Sequence, residues 1–92
     1  MKKFEAELHH LNYVANKKRS ELELEISKRY LDLLQSSHRK FDYIESPMEE
    51  IYSHQELMRE MDRLVNDVLD AATSYDKAAD IEFYKYLDCR DS

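Results

Sequence analysis

The chain has 92 residues, with no glycine, one proline, one cysteine and a formal net charge of −6. The lack of glycine argues against glycine-built phosphate loops, tight type I′ hairpin turns and most all-β folds. A lone cysteine excludes an internal disulfide framework and suits a reducing compartment. Good helix formers dominate instead, and the reading is all-α.

The Met1-Lys2-Lys3 start is charged like that of a signal peptide, but Glu5, Glu7, His9 and His10 stand where an apolar run is required. No run approaches the ~18 residues of a membrane span, so a cytoplasmic protein is expected. From Phe4 the apolar residues Phe4, Leu8, Leu11, Ala15, Leu22, Ile26, Tyr30 and Leu33 recur in steps that build an eleven-residue pattern. That period is close to the helical one and predicts a helix over about 3–37 with this row as its core face. The strand-like alternation of Glu21 to Ile26 is too short to compete. Ser20 followed by Glu23 fits a capping box, so a break near residue 20 is the alternative to one continuous helix. Leu24 and Leu31 lie off the main row and form a second stripe, expected to meet another subunit or a partner.

Residues 36–46 lose the pattern and read as a connection. Ser46 as N-cap, Pro47 at the first helical position, and Glu49 and Glu50 in the first turn predict a helix over about 47–73. The capping side chains from Thr73 to Asp76 predict a third helix over about 76–88, the alternative being that the second helix simply continues. The expected architecture is one domain, 1–92, built as an antiparallel helical hairpin plus a short C-terminal helix. It closes as a three-helix bundle, or pairs with a second copy as a four-helix bundle; the homodimer is preferred because so short a chain buries little surface alone. Residues 1–40 hold nine Lys/Arg against six Asp/Glu, and residues 41–92 hold five against fourteen. A basic first helix is therefore expected to lie along an acidic second one.

Chemistry finds little support. Glu7 and His10 make one E-x-x-H pair, while Glu5–His9 and Glu50–His54 are spaced i, i+4. A di-metal bundle needs two such motifs and two further inward glutamates, so no metal and no cofactor are expected. Cys89 is flanked by both signs of charge near the chain end, and no serine has a nucleophile elbow, so an enzyme is not expected. Lys17, Lys18, Arg19, Lys28, Arg29, Arg39 and Lys40 form a basic region, but Glu21, Glu23, Glu25 and Asp32 interrupt it and the pI is near 5.1. Direct nucleic-acid binding through residues 17–40 is accordingly the third reading.

The acidic half supplies the second: Glu49, Glu56, Glu60, Asp67 and Asp70 are spaced to imitate a phosphate row and block a nucleic-acid-binding protein. The first reading is a small, acidic, non-enzymatic regulator or inhibitor that meets a protein partner through helix faces. Its expected contacts are Leu24, Leu31, Phe83, Tyr84 and Tyr86, since neighbouring aromatics on one helix turn cannot all face inward.

Overall fold

A computed structural model describes residues 2–91, with the side chain of Lys2 left aside; Met1 and Ser92 of the expected 1–92 domain lie outside the described residues. Two helices, α1 (Lys2–Lys40) and α2 (Met48–Arg90), pack against each other as an antiparallel hairpin. The described residues contain no strand. The hairpin is a rod of 69 × 15 × 13 Å. Its radius of gyration is 20.6 Å, against about 12 Å for a compact domain of this length.

The helices are longer and fewer than expected. α1 passes through Ser20 unbroken, because the Ser20 hydroxyl is not a cap: it donates to the carbonyl of Ala72 on α2 at 3.0 Å. The predicted third helix does not exist as a separate element. Through 73–76 the chain stays helical, and Thr73 donates its hydroxyl back to the Leu69 carbonyl one turn earlier. A side chain able to cap a new helix can equally well bond within an existing one.

The turn is shorter than residues 36–46. Phe41 N–H still donates to the Ser37 carbonyl, and Asp42 Oδ1 accepts from the N–H groups of Ile44 and Glu45 at 2.9 and 3.0 Å. Pro47, not Ser46, holds the capping position of α2, with no side-chain cap bond; its carbonyl accepts from Glu50 and Ile51 instead.

The largest departure concerns which face of α1 is inside. On α2 the buried and half-buried positions include Ile51, His54, Met58, Met61, Val65, Val68, Ala72, Tyr75, Ala79, Glu82, Tyr86 and Cys89, in alternating steps of three and four. On α1 the matching series is Ala6, His9, Tyr13, Asn16, Ser20, Glu23, Ser27, Tyr30, Leu34, Ser37 and Phe41. Both are heptad seams, a and d positions of an antiparallel coiled coil, with Ala6 and Ile51 taken as a. The row expected to form the core of α1 instead lies mostly outside: Phe4 is 72% exposed, Leu11 64% and Leu33 56%. Only Ala15, Ile26 and Tyr30 of that row are half-buried.

The seam of α1 is polar because small side chains let the helices approach closely. A serine hydroxyl can reach a carbonyl on the facing helix only where the axes lie near the short end of the usual range, about 8 Å. Ser20 faces Ala72 in this way, and Ser27 is buried as well. The turn end closes on a stack of the Phe41 and His54 rings, 4.0 Å between centroids, with Tyr43 edge-on to both.

The two buried serines differ in their partners, since Ser27 donates only to Leu24 of its own helix. Ser20→Ala should cost about 0.5 kcal/mol net, the lost interhelical bond of about 1 kcal/mol outweighing a helix-propensity gain of about 0.5 kcal/mol, and so lower Tm by about 2–4 °C. Ser27→Ala should instead raise stability by about 0.5 kcal/mol, since alanine is the better helix former. Thermal melts followed by circular dichroism at one fixed protein concentration check both signs.

Candidate functional site

The rod has two unlike outer faces, both set by the heptad register. On α2, Glu49, Glu56 and Asp70 share the outermost row, f, and Glu60 and Asp67 share the adjacent row, c; all five are exposed. Residues seven apart lie about 10.5 Å apart along the axis, so the carboxylates form a spaced row along the rod. Arg63 intervenes and pairs with Glu60. These carboxylates point away from α1, because f and c lie opposite the seam.

The expected pairing of a basic first helix with an acidic second is therefore narrow. Lys17 Nζ meets Asp76 Oδ1 at 2.7 Å, and His9 Nδ1 donates to Glu82 Oε2 at 2.5 Å. Lys17 is held above its ordinary value, mainly by its hydrogen bond to Asp76. Within the basic region, Arg19 lies over the Tyr75 ring at 5.8 Å and Arg29 pairs with Glu25. Lys17, Arg19 and Arg29 are thus engaged within the chain.

On α1 an apolar row crosses the outer side obliquely, and beyond Leu11 the outermost row itself is Lys18, Glu25 and Asp32. Phe4 and Leu11 occupy f, Leu8 and Leu22 occupy c, and Leu33 lies on g beside the seam; all five are exposed. In an antiparallel pair, g rows flank the same side of the seam, so Ile26 and Leu33 share their side with Leu57 and Leu64 of α2. Pattern reading found this row but assigned it inward; its exposure is the feature that sequence alone does not reveal.

The five aromatic and leucine candidates do not form one patch. Leu24 and Leu31 lie on the opposite flank, e, with Leu69, all partly exposed. Phe83 packs against Tyr13 with centroids 5.2 Å apart, near the end of the rod where the helix termini meet. Leu24 is eleven residues from Tyr13, about 16 Å along the axis. Tyr84 is largely exposed on the outer row of α2, whereas Tyr86 is half-buried in the seam against His10 at 5.3 Å. A groove of about 760 Å³ opens at this end, lined by Lys3, Glu7, His10, Leu11, Tyr86 and Arg90 among others.

Among the described residues, no three His, Cys, Asp or Glu side chains converge as a metal site. Of the paired motifs, Glu5–His9 is divided: His9 turns to Glu82 and Cys89 Sγ lies 4.0 Å from Glu5 Oε2. His54 is buried in its ring stack, its Nε2 without a hydrogen-bond partner. No described helix is long and apolar enough to cross a membrane. Compared with protein-family models, with curated proteins and with solved structures, the chain matches none.

The bond from His9, with help from Lys85 and Asn12, holds the Glu82 carboxyl below its ordinary value near 4.5, against an opposing push from burial. A depressed carboxyl stabilises the fold above its unfolded pKa, and that stabilisation is lost as pH falls through the lower folded value. Wild type should lose more Tm than Glu82→Gln as pH falls below about 4.5. Melts at pH 6 and pH 3 check this, and parallel shifts in the two proteins would contradict it.

Proposed function

We propose that this chain is a small, acidic, non-enzymatic regulator or inhibitor that acts by presenting helix faces to a protein partner. The observation that carries this reading is the exposure of an apolar row, Phe4, Leu8, Leu11, Leu22 and Leu33, on α1 together with a row of carboxylates on the outer side of α2. A hairpin whose large apolar side chains lie mostly outside is suited to being covered. Spaced carboxylates on a rigid helix give a partner with basic groups a register as well as an attraction. Two hairpins pairing through their apolar faces, as a four-helix bundle, would leave both acidic faces available. Tyr84 adds an aromatic anchor on the same outer row of α2.

The test is capture of the partner from the native cell by tagged protein, followed by titration with purified components. Glu56→Lys with Asp67→Lys should weaken the complex tenfold or more, about 1.4 kcal/mol, while helicity is retained. Tyr84→Ser is the informative aromatic substitution, because a change at Tyr86 would also disturb the seam. Equal affinity in all three proteins would sink the acidic face as the contact.

A second reading, imitation of nucleic acid by Glu49, Glu56, Glu60, Asp67 and Asp70, draws on the same display of carboxylates. It expects the complex to weaken steeply with salt and DNA to compete for the partner. Binding unchanged between low and physiological salt rejects this second reading and leaves the first.

A further inference from the structure

The apolar face of α1 points to a second copy of this chain as its occupant. We infer that two hairpins dock α1 against α1 in antiparallel register, about a two-fold axis between Lys18 and Arg19. This rests on the helix-face reading above and names the occupant of one of those faces.

Area is the first argument. The chain exposes 7183 Å², whereas a compact monomer of 11.1 kDa exposes about 5,700 Å², an excess of roughly 1,500 Å². Obligate homodimers bury about 2,000–5,000 Å² in total, or about 1,000–2,500 Å² per subunit. The excess falls within that range. Among the described residues, Met61, Val65, Ala72 and Ala79 alone make up the buried apolar core, so self-association would supply what the seam lacks.

Symmetry of the face is the second. Reversing α1 about the midpoint of Lys18 and Arg19 sets Phe4 against Leu33, Leu11 against Ile26 and Ala15 against Leu22. A two-fold axis makes each such contact twice, which is what an isologous interface requires.

Charge selects the direction. Parallel docking would place Glu7, Lys18, Glu21, Glu25 and Lys28 each beside its own copy, like charge on like. The antiparallel register brings Glu7 within one residue of opposing Arg29, and Lys3 within two of opposing Asp32. Lys18 remains near its own copy at the axis, but Glu21 of each chain lies within one turn of Lys18 on the other, offsetting the repulsion.

The closing experiment combines sedimentation equilibrium of the full chain with single-cysteine cross-linking in a Cys89→Ser background. Wild type should sediment at twice the monomer mass, and Leu11→Asp with Leu22→Asp should halve it while helicity is retained. Under mild oxidation Lys18→Cys should cross-link to itself. Phe4→Cys and Leu33→Cys should each fail alone and cross-link when mixed. Self-cross-linking of Phe4→Cys would overturn the antiparallel register, as would a dimer in which Lys18→Cys stays reduced. A wild-type monomer would overturn the second copy as occupant. None of these outcomes bears on partner capture through the acidic face, so the two readings fail separately.

Discussion

Everything distinctive about this hairpin depends on how closely its two helices approach. The hydroxyl of Ser20 reaches the backbone carbonyl of Ala72, which only short side chains on both helices permit. Ser27 and Ala79 are buried at other points of the same seam. Close approach satisfies a polar seam, yet it removes little apolar surface from water. The hydrophobic contribution scales with buried apolar area, so the leucines left outside α1 represent stabilisation the single hairpin does not collect.

Two periods share one helix. The seam of α1 repeats every seven residues, while Leu11, Leu22 and Leu33 repeat every eleven. Eleven residues complete three turns at a period of 3.67 but about 3.14 turns at 3.5, so the apolar row drifts by about 50° per repeat against the seam. Leu11 therefore lies on the outermost row, Leu22 beside it, and Leu33 on the flank shared with Leu57 and Leu64 of α2. The drift joins the outer face of α1 to an apolar edge of α2 near the turn, broadening the surface where the opposite end of another α1 would dock.

Electrostatics follow the same geometry. Little of the marked charge difference between the halves is met across the seam, where Lys17 pairs with Asp76 and His9 bonds to Glu82, while the outer carboxylates of α2 face away from α1. An apolar row on one helix and a row of carboxylates on the other give separate surfaces to the self-association and the partner contact proposed above. The two contacts need not compete, since the f rows of the helices point in opposite directions.

Composition and local pattern determined the helical class, a connection ahead of Pro47 and the presence on α1 of an apolar row interrupted only at Arg19. These follow from helix propensity, the missing glycines and the 3.6-residue period, which act within a few neighbouring residues. Leu24 and Leu31 were legible as lying off that row, and the aromatic run at Phe83 to Tyr86 as too dense to face one way. Whether α2 continued through Thr73 was not legible, because a capping side chain and a back-bonding one look alike in sequence. Nor was the inward face of α1: by apolar content the eleven-residue row outranks a seam containing Asn16, Ser20, Glu23 and Ser27. Only the tertiary structure decided between them, because the value of Ser20 as a seam residue comes from Ala72 on the facing helix.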